Sequence, residues 1–152
     1  MAQLLKVPVE DVVMVANATT AVNAILRNLQ FQENDLILYL DPIYGACEKT
    51  ISFITETTPA EPLKVRFTFP ISDDELVAEF ARALDAHSGR ARVALFETIA
   101  SLPGVRVHFE RLTEVARAHG VLSLIDGAHG VGHFPLDLAK LKPDFFVSNC
   151  HK

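Results

Sequence analysis

The chain has 152 residues, of which 49% are apolar and 22% charged, a balance that excludes a disordered segment and suits one domain with a real core. Nineteen acidic residues against 14 basic ones leave a net charge of −5, the wrong sign for holding a phosphate backbone, so nucleic acid is not an expected partner. Two cysteines, Cys47 and Cys150, are too few for a disulfide framework, and no run of 18 apolar residues suggests a membrane span. The expectation is a soluble protein of a reducing, cytoplasmic compartment, without a membrane partner.

Short apolar runs alternate with amphipathic stretches. Residues Val12 to Val15 read as a strand, followed by Asn17-Ala18-Thr19-Thr20. Val22, Ile25, Leu26 and Leu29 then fall at the spacing of a helical stripe. Leu36 to Leu40 reads as a buried strand ending at Asp41-Pro42, Tyr44 to Ile54 as a helix, and Leu63 to Phe69 as a third strand. Ser72 and Glu75 have capping-box spacing, with Leu76, Val77, Phe80 and Leu84 on one face, which predicts a helix from Asp73 to about Ala86. A strand follows at Arg92 to Phe96, and after Leu102-Pro103-Gly104 a helix at Phe109 to His119, stopped by Gly120. The last predicted strands are Val121 to Ile125 and Phe145 to Val147.

Near-continuous apolar strands alternating with helices imply an α/β fold: a three-layer α/β/α sandwich with a mostly parallel sheet. Ligands of such sheets bind beyond the carboxyl ends of the strands. The segments to examine are therefore 17–20, 41–46, 97–101, 126–132 and 148–152. The Asn17 to Thr20 turn is either an N-cap or a phosphate site built from free helix N–H groups and hydroxyls. Asp126, in Asp126-Gly127-Ala128-His129-Gly130, is either a turn residue or a partly desolvated carboxylate seeking a cation such as a protonated heterocyclic nitrogen. Asp126, His129 and His133 offer a metal set and hence a metal-dependent hydrolase, although Gly130, Gly132 and Pro135 do not support a helix that would align the histidines. Lys152 is either a solvated charge or an amine able to form an imine with an aldehyde. Phosphate donors, a carboxylate and a lysine at three strand ends are together the three fixings of pyridoxal 5′-phosphate: phosphate, ring nitrogen and aldehyde.

Val15-Ala16-Asn17-Ala18-Thr19-Thr20, Ile43-Tyr44-Gly45-Ala46, Asp126 to Gly130 and Ser148-Asn149-Cys150-His151-Lys152 resemble the class V aminotransferases of the fold-type I pyridoxal-phosphate superfamily. Within it they are most similar to the branch of isopenicillin N epimerase-like, cysteine desulfurase-like and hercynylcysteine sulfoxide lyase proteins. The resemblance implies an enzyme with pyridoxal 5′-phosphate as cofactor and an amino acid as substrate, working by transamination, epimerisation or C–S cleavage and β-elimination, as a homodimer when full length. It implies that Lys152 is the Schiff-base lysine and Asp126 the partner of the pyridine nitrogen. His129 and Ser101 fall where side chains reach the phenolic oxygen. Ala18, Thr19 and Thr20 fall in the phosphate turn, and His151 near the phosphate. Tyr44 stands where related enzymes stack a histidine on the ring, and is a poorer proton carrier near neutral pH. The family continues past its lysine into a small C-terminal domain and begins earlier with an entrance segment. The expectation is thus that residues 1–152 are a partial cofactor-binding large domain lacking both parts, with the alternative of a non-catalytic truncated fragment that keeps the fold.

Overall fold

The computed structural model describes all residues 1–152. Its helices are α1 (Ala2–Leu5), α2 (Ala18–Asn28), α3 (Gly45–Thr57), α4 (Asp73–Ala86), α5 (Phe109–Ala118) and α6 (Leu138–Leu141), with a 3-10 turn at Val9–Asp11. The strands are β1 (Leu36–Asp41), β2 (Glu61–Arg66), β3 (Ala91–Glu97), β4 (Leu122–Asp126) and β5 (Phe145–Val147). They form one sheet in the order β2-β1-β3-β4-β5, with every neighbouring pair parallel. No helix is long and apolar enough to cross a membrane.

Parallel strands need crossovers, and the helices that supply them cover both faces of the sheet. One face carries α2 and α3, whose Val22, Leu26, Ile51 and Ile54 pack on Ile37, Val93, Leu95 and Leu124. The other carries α4 and α5, with Phe80, Leu84, Leu112 and Ala116 on Leu38, Ala94, Phe96 and Ile125. Strand residues thus alternate between two cores, so β1, β3 and β4 read as near-continuous apolar runs. Phe80 meets Phe96 edge to face, with centroids 5.8 Å apart.

The predicted helix at 73–86 forms as expected: Ser72 accepts from the Glu75 amide and Glu75 accepts from the Ser72 amide, closing the capping box. Gly120 has φ +69°, the left-handed conformation that ends α5. Three readings need correction. Residues 12–15 belong to no strand, and Val13 and Met14 are exposed, because β5 and β2, not this segment, are the sheet's edges. The strand expected over Leu63 to Phe69 starts and ends earlier, at Glu61–Arg66, where pairing with Leu36–Asp41 sets its register. Tyr44 does not open α3 but precedes it as the N-cap residue.

Candidate active site at the carboxyl ends of the strands

Asp126 ends β4, after four residues without a charge. It is 5% exposed. Its Oδ1 accepts the Ala128 amide at 2.9 Å, which closes the turn into Gly127, and its Oδ2 accepts the Cys47 thiol from α3 at 3.4 Å. No protein cation pairs with it: the ion pairs of the molecule all lie elsewhere. Burial, with the Asp126 charge beside it, pushes the Cys47 thiol well above its ordinary range, so Cys47 stays a protonated donor.

The turn after Asp126 is clamped on both sides. The Gly127 amide donates to Val147 O at 2.7 Å, and Gly127 O accepts the Gly130 amide and the Ser148 hydroxyl. Only glycine fits at 127, since a Cβ there would lie 2.2 Å from Phe146 Cζ. His129 follows, half-buried, its ring edge to face with that of His133 at 6.5 Å. Burial, and next the charge of Lys152, lower the His129 pKa, against an opposing pull from Asp126. The imidazole is therefore held neutral between an amine and a carboxylate. Lys152 and His151 are exposed beyond β5.

At the start of α2, Asn17 Oδ1 accepts both the amide of Thr20, at 2.8 Å, and its hydroxyl, at 3.1 Å. The cap reading of this turn is thus realised, and it occupies Thr20. The Ala18 amide goes to the Oδ1 of buried Asn149, at 3.0 Å, which joins α2 to the segment after β5. The amide and hydroxyl of Thr19 donate to no protein acceptor, and they are the groups at this helix end free for an anion. The sequence also grouped Tyr44 and Ser101 with the site. Tyr44 is half-exposed and donates its amide to Glu97 Oε1 at 3.1 Å, while Ser101 sits in the turn after β3 and presents its backbone amide to the same carboxylate.

The metal set does not form. Asp126, His129 and His133 do not converge, since no three histidine, cysteine or acidic side chains gather anywhere as a metal would need. Three buried groups were given no role by the sequence reading: Glu97 and Asn149, inside segments it marked, and Cys47. Of these, Glu97 had a visible signal as a second acid at the end of an apolar strand. A cleft of about 810 Å³ borders the site through Asn17, Ser148, Asn149 and His151, and Asp126, His129 and Lys152 lie outside its lining.

The sequence profile of the family described as "Aminotransferase class-V" matches residues 1–152. The chain belongs to the class-V aminotransferase family. This class-V chain is 40% identical over 155 residues to the L-cysteine desulfhydrase-like protein lolT1 of Epichloe uncinata, covering 100% of itself and 34% of that protein. It is 26% identical to the hercynylcysteine sulfoxide lyase of Schizosaccharomyces pombe, covering 99% of itself and 38% of the lyase. It is 29% identical to the isopenicillin N epimerase of Streptomyces clavuligerus, with 91% and 34% covered. Among solved structures, the complex of the cystine C-S lyase C-DES with cysteine persulfide superposes with a TM-score of 0.90 at 22% identity, over 99% of this chain and 40% of that one. The class-V chain thus has the fold of these enzymes and spans about a third of the length of the first curated relatives.

Proposed function

We propose that this chain forms the cofactor-holding part of a pyridoxal 5′-phosphate enzyme that cleaves the C–S bond of a cysteine-type amino acid. The observation that carries the reading is Asp126, a buried carboxylate with no protein cation, at the same end of the sheet as the N-terminus of α2 and Lys152. Such an acid fits a cationic ring nitrogen. The 40% identity to an L-cysteine desulfhydrase-like protein supports the choice of reaction.

When bound, pyridoxal 5′-phosphate supplies an electron sink for the substrate's α-carbon. Asp126 holds the proton on the ring nitrogen, and Cys47 and Ala128 keep its two oxygens aimed. The Thr19 amide and hydroxyl, at the positive end of α2, would hold the phosphate. Tyr44 would cover the ring, His151 would serve the phosphate, and neutral His129 with Ser101 would serve the phenolic oxygen. Lys152 Nζ would be the amine that holds the aldehyde and, when free, the base placed to take a proton from the substrate's α-carbon.

The test uses the full-length protein with added pyridoxal 5′-phosphate. A visible absorbance band is expected, and borohydride should attach the cofactor to the peptide that carries Lys152. Lys152→Ala should remove both. Supplied with L-cysteine or an S-substituted cysteine, the loaded protein should release a sulfur product and pyruvate. Attachment to another lysine would overturn the site, and turnover confined to transamination or racemisation would overturn the reaction.

A further inference from the structure

Glu97 has no part in the scheme above, yet it is 6% exposed and stands directly opposite Asp126 in the β3–β4 register. In a parallel pair, opposed residues point to the same face, and alternation identifies that face. Val93, Leu95 and Leu124 lie in the core under α2 and α3, and Phe96 and Ile125 in the other, so Glu97 and Asp126 both point toward α3. Each holds one group of the start of that helix: Glu97 Oε1 the Tyr44 amide, Asp126 Oδ2 the Cys47 thiol.

Two buried carboxylates on adjacent strands, without a cation between them, do not both stay charged, because each raises the cost of ionising the other in a low dielectric. The environment of the two is unequal. Asp126 is solvated by a thiol and an amide that both donate. Glu97 accepts one hydrogen bond, from the Tyr44 amide at 3.1 Å, with the Ser101 amide nearby, and burial, with the Asp126 charge next, carries its pKa up to about 7. The titratable groups that face Glu97 are Asp126 from β4 and Cys47 from α3, and Cys47 is neutral.

We propose that Glu97 is a positioning residue that carries the single proton of the Glu97–Asp126 pair, leaving Asp126 as the charged member for a cationic ring nitrogen while its other oxygen fixes Tyr44 at the mouth of the site. This deepens the cofactor reading and rests on it. The arrival of a cation beside the pair favours loss of the Glu97 proton to solvent, so binding and ionisation are coupled. An opposite charge at such range lowers a carboxyl pKa by about one to three pH units, so affinity for pyridoxal 5′-phosphate rises by roughly five- to tenfold between pH 6 and pH 8 on account of Glu97.

The experiment has two arms, both on the full-length protein. In the apo form, infrared spectroscopy should find a protonated carboxyl that titrates near pH 7. Glu97→Gln should abolish it, and Asp126→Asn should move its midpoint to lower pH. In the second arm, cofactor affinity is measured against pH. Relative to wild type, Glu97→Gln should lose that rise and still bind the cofactor at pH 6, since its amide oxygen still accepts from Tyr44. Glu97→Leu, which removes that acceptor, should bind weakly at every pH. Absence of the carboxyl signal would overturn the proposal, as would a pH dependence of binding that survives Glu97→Gln. A carboxyl signal with the expected variants in a protein that binds no cofactor would support the proton assignment and refute the cofactor reading instead.

Discussion

Replacing Gly127 with alanine is a sharp probe of how the Asp126 turn is held. The added methyl would lie 2.2, 2.7 and 2.9 Å from Phe146 Cζ, Cε2 and Cε1, where carbon atoms normally rest about 3.5–4.0 Å apart. Something must move by more than ~1 Å. The backbone is poorly placed to do so, because the Gly127 amide is bonded to Val147 O at 2.7 Å and its carbonyl accepts from Gly130 at 2.8 Å and Ser148 at 2.6 Å. The Phe146 ring must therefore leave its packing against the α4/α5 core, at the cost typical of overpacking, about 1–3 kcal/mol. With a urea slope of about 1–3 kcal/mol per molar, the unfolding midpoint should fall by roughly 1 M. The decisive assay is a double-mutant cycle. In a Phe146→Ala background the same Gly127→Ala change meets no ring and should cost less than ~1 kcal/mol, a coupling of the size seen between touching residues. An equal cost in both backgrounds would refute the assignment of the strain to Phe146.

Other expectations separate the roles of individual side chains. Thr19→Val should weaken binding of pyridoxal 5′-phosphate by about 1–3 kcal/mol and leave pyridoxal unaffected, whereas Thr20→Val should lower thermal stability through the Asn17 cap; isothermal titration with both ligands distinguishes them. Thr98→Val should be neutral or stabilising in chemical denaturation, because the Thr98 hydroxyl is buried without a protein partner. Asp85 raises the pKa of His119, linking α4 to the end of α5 at 3.0 Å. The stability this pair adds is present below the ordinary histidine value of 6.5 and is lost as pH rises through the folded value. With both partners partly exposed it is worth at most ~1 kcal/mol, and His119→Gln should flatten that part of the stability profile.

The central strands were legible because each is buried on two faces, which leaves a continuous apolar run that no surface segment imitates. Local chemistry also declared α4, whose cap and stripe lie within one stretch of sequence. Pairing is not local, and there the reading failed. Val12 to Val15 has strand composition, but whether a strand forms depends on a neighbour that the sequence does not announce. The edge strand β2 shifted for a related reason: with one side unpaired, its ends are set by register against β1. Helices α1 and α6, each 4 residues long, are too short for periodicity to reveal. In the site, Asp126 and Lys152 stood out by chemical type at strand ends. Glu97, Cys47 and Asn149 matter through what lies across from them, and that is knowledge only of the folded register.

The bond from the Ala18 amide to the Asn149 side chain spans 131 positions of the chain. During synthesis the Asn17 to Thr20 turn leaves the ribosome long before its partner exists. At about 5–20 residues per second, the interval is on the order of ten seconds. Throughout it, the sheet can grow from β1 outward through β3 and β4, yet the pocket has no closing wall. Assembly of the proposed cofactor site thus waits until Asn149 has been made, an order dictated by the gene, and a ligand added before then would find only half of its receptor.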